Sequence, residues 1–385
     1  MPPTKANPML VRAYIHNFRT FVNFEVHLGA MQLLMGPNGA GKTALLEVVD
    51  RIRRLVCTGE RIHDAFPLTE RSVGLSGTEG NMRVELDLQD SDGGLYRYGV
   101  EVEFDEDQGL QRIGEEWLNY QGKPLFHSER GEAHLYRDDH SKGPDFPMDW
   151  SLSGVGFLMS SRSNRLLTAF KQRLERYHLL RLQPSDMRTE SRHETPRPET
   201  TMANLPDWYR YLVQAQPDRI HEVTQDLRGR LPGFRTLRLL DAGEGKKLLA
   251  DFDAEEGGTI SLSFSALSDG QRALIALYTA LRAIPSDRGA TLAIDEPENF
   301  LALPEIQPWL DELSDAAEDQ KLQVMLISHH PRLLNFLAAE QGIWLERDSG
   351  TGPTRQKAIG AAGTDAQINV DQLVERGWLV NGTQT

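Results

Sequence analysis

Gly36-Pro37-Asn38-Gly39-Ala40-Gly41-Lys42-Thr43 fits the pattern G-x-x-x-x-G-K-[ST] at every fixed position. Its neighbours matter as much as its letters. The apolar run Met31-Gln32-Leu33-Leu34-Met35 precedes it at strand length, and Thr43-Ala44-Leu45-Leu46-Glu47-Val48-Val49 follows with the look of a helix. A buried strand, a Gly-rich turn and a helix N-terminus are the parts needed to wrap backbone N–H groups around a polyphosphate. The pattern gives Gly36, Asn38, Gly39 and Gly41 to the turn and Lys42 to the β- and γ-phosphates. The Thr43 hydroxyl falls to Mg²⁺. The expected fold is α/β of the P-loop type, and the expected ligand is ATP with Mg²⁺.

A phosphate loop alone fits many activities, so the rest of the chain must choose among them. Thr291-Leu292-Ala293-Ile294-Asp295-Glu296-Pro297 is an apolar strand ending in two carboxylates. Ligands gather at strand ends in open parallel sheets. Asp295 is placed to hold Mg²⁺ through water, and Glu296 to orient or activate the attacking water, which points to hydrolysis. An ordinary strand followed by an acidic turn is the plainer alternative. Upstream, Ser268-Asp269-Gly270-Gln271-Arg272 leads into the helical run Ala273-Leu274-Ile275-Ala276-Leu277-Tyr278. Ser268, the Gly270 backbone and a helix N-terminus would make a second anion site. Downstream, Val324-Met325-Leu326-Ile327-Ser328-His329-His330-Pro331 is a strand that delivers a histidine before a proline.

With these pieces in order, the chain resembles the ABC-type ATPases, whose signature loop reads L-S-G-G-Q before a helix. Asp269 replaces the first of those glycines, as in the SMC- and RecF-like soluble branch. The motif lies 27 positions before Asp295, between the two nucleotide motifs. The resemblance implies that Ser268 and Gly270 cap the γ-phosphate of an ATP held by a second protomer, and that His329 contacts that phosphate. Asn299-Phe300-Leu301-Ala302-Leu303 is a loose match to the D-loop that crosses the family's dimer interface. Asn17-Phe18-Arg19-Thr20-Phe21 is similar to the N-F-R-S/T-F opening of SMC- and RecF-like proteins, which implies that Arg19 approaches phosphate. A surface arginine is the competing view. Together with Val374-Glu375-Arg376-Gly377-Trp378-Leu379, the 299–304 phrase resembles a group of bacterial AAA-type, SMC-like ATPases found in phage-defence or toxin-like gene pairs. The family's glutamine loop has no clear counterpart: Gln111 and Gln121 both stand in uncertain contexts.

Composition sets the outer limits. At 385 residues there is room for more than one packed unit, and 39% hydrophobic with 25% charged residues is a globular balance. No apolar run approaches membrane-span length and the first residues lack a signal core, so a cytoplasmic protein without membrane contact is expected. The single cysteine, Cys57, leaves no internal disulfide framework. A net charge of −14 argues against a nucleic-acid-coating surface. Residues 162–192 are nonetheless locally basic, through Arg162, Arg165, Lys171, Arg173, Arg176, Arg181, Arg188 and Arg192. They form either a solvated helix face or a surface that contacts DNA, RNA or a partner protein. Arg173 and His178 also share the R-x-x-x-x-H spacing of HEPN ribonucleases, which arises easily on an Arg-rich helix.

The expected organisation is an ABC-type head with an antiparallel β-subdomain and a helical insertion. Residues 1–80 carry the phosphate loop. Residues 81–160 alternate apolar and polar as a β-subdomain, with 138–147 read as a loop. Residues 161–215 form a basic helical insertion, helical to about 182, with a polar, Pro-rich and exposed connector at 184–206. Residues 216–385 supply the signature, Asp295-Glu296 and His329. Three outputs fit these motifs. One is an ATP-sandwiched homodimer that gates a separately encoded effector, a nuclease, in antiviral defence. The second is a RecF/SMC-like repair ATPase that clamps duplex DNA. The third, a transporter motor, fits least well with the N-F-R opening and the long insertion.

Overall fold

The computed structural model describes residues 10–357 except 76, 78, 79, 91, 106–108, 285–288, 320, 321 and 330–340. His330 and the phrase 374–379 therefore lie outside the described residues. The chain opens with β1 (Leu10–His16), which returns antiparallel as β2 (Phe24–His27). Next come β3 (Met31–Met35), buried at every position, and α1 (Lys42–Arg53). One π-helical turn, Arg54–Thr58, extends α1, and a short α2 (Ile62–Ala65) follows.

A meander then runs through β4 (Met82–Gln89), β5 (Leu95–Asp105), β6 (Leu110–Tyr120), β7 (Lys123–Glu129), β8 (Glu132–Tyr136) and β9 (Lys142–Pro147). With β1 and β2 these make an eight-stranded sheet in the order β2-β1-β4-β5-β6-β7-β8-β9. Alternation, broken at bulges between β5 and β6 and between β6 and β7, gives it one covered face, with Val84, Leu86, Tyr98, Val100 and Leu118 fully buried. The other face carries charge. The β9 segment, expected as a loop from its Asp, Gly and Pro content, is the edge strand, where proline is tolerated because one side of the backbone needs no partner.

After α3 (Gly154–Phe157) and α4 (Arg165–Glu175) the chain enters β10 (Tyr177–Leu180). The single helix expected to about residue 182 thus stops at Glu175. All four β10 residues are buried, and such a short apolar run has no periodicity to separate strand from helix. His178 lies in that strand, 9% exposed, so it offers no surface pair with Arg173.

The order then runs β11 (Glu190–Ser191), α5 (Leu205–Ala215), α6 (Pro217–Arg230), β12 (Phe234–Ala242), β13 (Gly245–Asp253), β14 (Thr259–Ser263), α7 (Asp269–Ala283), β15 (Ala290–Asp295), α8 (Leu303–Glu318), β16 (Leu322–Ile327), β17 (Gly342–Arg347) and β18 (Thr354–Lys357). Residues 184–206, expected as an exposed connector, are instead held by buried polar groups. Asn204, 2% exposed, donates to Thr195 Oγ1 and to the Arg197 carbonyl, both at 3.0 Å, and accepts from Glu199 N at 2.8 Å. Asp207, fully buried, pairs with Arg188 at 3.0 Å.

The central sheet has the order β10-β15-β16-β3-β17-β18. Both β16 and β17 run parallel to β3, and β15 and β16 are buried at all six positions, as strands covered on both faces should be. The chain divides into two compact units: residues 1–178, 289–293 and 318–385, and residues 179–288 and 294–317. In the first, the Gln323 amide binds the Leu10 and Gly29 carbonyls at 2.7 and 2.9 Å and accepts from Thr291 Oγ1 at 2.8 Å. In the second, Trp309 is fully buried and donates to the Leu277 carbonyl at 3.0 Å. Among the described residues no helix is long and apolar enough to cross a membrane, which leaves β-barrels unaddressed.

Candidate nucleotide site

In the first unit the phosphate loop is shaped by glycines that no other residue could replace without strain. Gly36 has φ +135°, and a Cβ there would stand 1.9 Å from the Leu345 carbonyl oxygen on β17. Gly41, at φ +95°, caps α1 in the left-handed region, and its missing Cβ leaves room for Phe21 and for the Thr20 and Thr354 hydroxyls. Asn38 and Gly39 lie at the exposed tip. Lys42, 6% exposed, turns its ammonium inward and donates to the Gly36 carbonyl at 2.7 Å and the Pro37 carbonyl at 3.0 Å. The ammonium is therefore already fixed within the loop that would curl around phosphate. Thr43 follows on the first turn of α1.

Two threonines missed in the sequence brace this loop. Thr354, fully buried, donates from Oγ1 to the Ala40 carbonyl at 3.0 Å and lies 2.7 Å from Thr20 Oγ1. Its backbone N–H donates to the Thr20 carbonyl at 2.8 Å. Thr20 stands inside the N-F-R-T-F phrase, whereas nothing around Thr354 signals its role.

His329 leaves the end of β16, whose parallel register pairs Ile327 with Leu34. That register carries the exit of β16 to the level of Gly36, with His329 exposed and Ser328 buried. Arg19 sits on a turn with positive φ at both Asn17 and Arg19. Its guanidinium pairs with Glu47 at 2.6 Å and Glu70 at 2.9 Å. Burial opposes the charge, but Glu70 and Glu47 hold the group above its ordinary pKa. Glu47 lies one turn beyond Thr43 on α1, so Arg19 can reach phosphate only by exchanging these carboxylates.

The second unit holds the other set. Ser268 is the N-cap of α7 in a full capping box with Gln271: Ser268 Oγ accepts from Gln271 N at 3.2 Å and Gln271 Oε1 accepts from Ser268 N at 3.0 Å. A Cβ on Gly270 would stand 2.9 Å from the Phe300 carbonyl. The glycine lets the signature helix close on the 299–303 segment. Asp295 ends β15 at 5% exposure, 3.7 Å from the Arg181 guanidinium. Glu296 follows at φ +52° and accepts from Asn299 Nδ2 at 2.8 Å. A left-handed glutamate holds roughly 1–3 kcal/mol of strain, and such strain concentrates where a side chain must be aimed.

Gln183 carries no strand-end signal in the sequence. It follows β10, the strand beside β15 in the central sheet, and the adjoining Pro184 carbonyl accepts from Arg272 of the signature helix at 2.6 Å. It stands at a strand end next to the carboxylate-bearing strand, where Gln111 (on β6) and Gln121 (in the turn after β6) do not.

Thr43 and Asp295 offer hard oxygen donors of the kind Mg²⁺ takes. Among the described residues no three His, Cys, Asp or Glu side chains converge as a metal cage. An ion that keeps its waters and binds substrate phosphates needs none.

Residues 33–335 match the family described as "AAA domain, putative AbiEii toxin, Type IV TA system". The chain belongs to that family. It is 36% identical over 84 residues to the molybdenum import ATP-binding protein ModC of two Mycobacterium tuberculosis strains, in an alignment covering 21% of each chain. The chain thus spans about a fifth of the length of the curated relatives it matches. Among solved structures it is similar to an SMC head bound to the C-terminal winged-helix domain of ScpA, with a TM-score of 0.53 at 13% identity, covering 91% of this chain and 99% of that one. The SMC head of Thermotoga maritima gives 0.46 at 12% identity, covering 91% and 100%. The fold is that of an ABC-type P-loop ATPase head with an antiparallel β-subdomain and a helical insertion.

Proposed function

We propose that this family member binds ATP with Mg²⁺, hydrolyses it, and couples the cycle to pairing of two copies that gate a separately encoded effector. The observation that carries hydrolysis beyond binding is Glu296, a strained carboxylate at the end of a fully buried strand. In this reading Lys42 and the N–H groups of 36–43 hold the β- and γ-phosphates, and Thr43 and Asp295 hold the ion. Bound Mg²⁺ neutralises charge on the phosphate oxygens. Glu296 orients a water for in-line attack on the γ-phosphorus and accepts its proton, while ADP leaves. Gln183 and His329 position water and γ-phosphate. Ser268 and the N-terminus of α7 face the γ-phosphate of the ATP on the other copy. The family description, with its toxin and toxin–antitoxin wording, supports an effector role, and a nuclease in antiviral defence is the effector class the resemblance favours.

The test separates binding from turnover. Glu296→Gln should retain ATP binding, lose turnover by about 10²-fold or more, and accumulate as a dimer with ATP and Mg²⁺ in light scattering. Lys42→Ala should bind no ATP. Full turnover in either variant, or a Glu296→Gln protein that stays monomeric with saturating ATP, would overturn this reading.

A further inference from the structure

One hairpin grips the phosphate loop at both ends. β17 and β18 pair antiparallel, with Arg347 opposite Thr354. At the start of the loop, the Leu345 carbonyl of β17 stands where a Cβ on Gly36 would fall. At its end, the Thr354 hydroxyl of β18 lies 3.0 Å from the carbonyl of Ala40, a residue only 1% exposed. The strand is itself tied to the 20–22 segment. Thr354 N donates to the Thr20 carbonyl and the Arg355 guanidinium to the Val22 carbonyl, both at 2.8 Å. The exposed tip, residues 37–39, thus hangs between two fixed ends.

Proton counting gives the contact at Ala40 a direction. A threonine hydroxyl donates one proton and can also accept. Thr354 Oγ1 touches the Ala40 carbonyl oxygen, which only accepts, and Thr20 Oγ1 at 2.7 Å. The Thr354 proton therefore goes to Ala40, and Thr20 donates to Thr354. The reverse order would leave the buried Ala40 carbonyl without this donor, which is costly. Hydrogen bonds joined in series polarise one another. What this relay holds is one side of a peptide plane. No described peptide bond is cis, and in a trans peptide the C=O and N–H point in opposite directions. Drawing the Ala40 carbonyl toward β18 turns the Gly41 N–H away from β18. Gly41 is the N-cap of α1. Its missing Cβ, which would stand 3.1 and 3.2 Å from the Thr20 and Thr354 hydroxyls, is what lets the relay come so close.

We propose that Thr354 is a positioning residue for phosphate binding: through Ala40 it keeps the Gly41 N–H aimed at the bound phosphate chain. Thr20 acts one step behind it. The inference rests on the nucleotide reading above and adds to that site a residue more than 300 positions away from it. Without the Thr354 hydroxyl the 40–41 peptide is less constrained, and it must be ordered anew at each binding event. A donor aimed in this way serves ground and transition states alike. Its loss falls on affinity and not on the chemical step.

Isothermal titration with ATP and with ADP, well below Tm, tests the aim of this peptide. Thr354→Val keeps the shape and deletes the hydroxyl. Kd for both nucleotides and KM for ATP should rise about tenfold, while kcat stays within about twofold. Thr354→Ser should restore the wild-type Kd. Thr20→Val should raise Kd by about two- to threefold, and should add nothing on top of Thr354→Val, because the relay is already cut. Ile343→Val trims a buried residue of the same hairpin. It should lower Tm and leave Kd unchanged, which separates aim from stability. A wild-type Kd in Thr354→Val, with Lys42→Ala still abolishing binding, overturns this proposal and leaves the nucleotide reading standing. So does an equal rise in Kd for Ile343→Val, which would assign Thr354 to stability alone. If Thr354→Val does not fold, Thr20→Val decides, and an unchanged Kd there defeats the relay. A wild-type chain that binds neither nucleotide overturns both readings.

Discussion

At position 36 there is no space for a methyl group, and at position 39 there is. Both glycines have positive φ, but a Cβ on Gly36 would overlap the Leu345 carbonyl while one on Gly39 meets nothing within 4 Å. Gly36→Ala should therefore destabilise the protein by roughly 2–4 kcal/mol, combining a backbone clash with left-handed strain. Gly39→Ala should lose only about 1 kcal/mol. Urea denaturation of the two variants checks the order, and equal losses would mean that β17 does not press on the loop as described. This part of the site was readable in advance because the motif is contiguous: strand, turn and cap are all written within Met31–Val49. Thr354 was not, because its partnership with Thr20 and Ala40 joins segments more than 300 positions apart.

At the scale of elements, buried polar groups decide what hydrophobic periodicity cannot. Residues 176–182 looked like the tail of a helix because apolar side chains fill consecutive positions. The result was that Gln183 had no strand end to stand on. With β10 in place, Gln183→Ala should retain ATP affinity and slow turnover by about 10–10²-fold. Unchanged steady-state turnover would remove it from the site. The segment 184–206 misled for a related reason: its polar, Pro-rich composition resembles a free linker, whereas Asn204 and Asp207 are buried and bonded. Glu116 makes the same point with a pH dependence attached. Burial pushes its carboxyl up, against the hydrogen bonds from Ser153, Tyr98 and Gly154. The folded chain then holds that proton more tightly than the unfolded chain. Stability from this group is complete below the ordinary carboxylate pKa of about 4.3 and is lost as pH rises through the folded value. Wild-type Tm should fall relative to Glu116→Gln as pH rises above the ordinary carboxylate pKa of about 4.3. Parallel Tm curves would show that Glu116 does not titrate in this way.

For the whole molecule, the distribution of charge separates the two leading outputs. The chain carries −14 overall, so a duplex-DNA clamp would have to draw on its one basic stretch. The structure has already committed much of that stretch elsewhere. Lys171 binds backbone carbonyls, Arg188 pairs with Asp207, and Arg181 faces Asp295. On the large sheet Arg83, Arg97 and Arg112 pair with Glu85, Asp87 and Glu103 at 2.7–2.8 Å. Each cation held in this way is one fewer to release counterions from phosphate, and affinity for duplex rises with the number of phosphates neutralised. The expected result is weak binding to a 30–40 bp duplex, with Kd above about 10 µM at roughly 150 mM salt and a shallow salt slope. Fluorescence anisotropy with and without ATP measures both quantities. Submicromolar, ATP-stimulated and steeply salt-dependent binding by the chain alone would move the reading from effector gating to a DNA clamp.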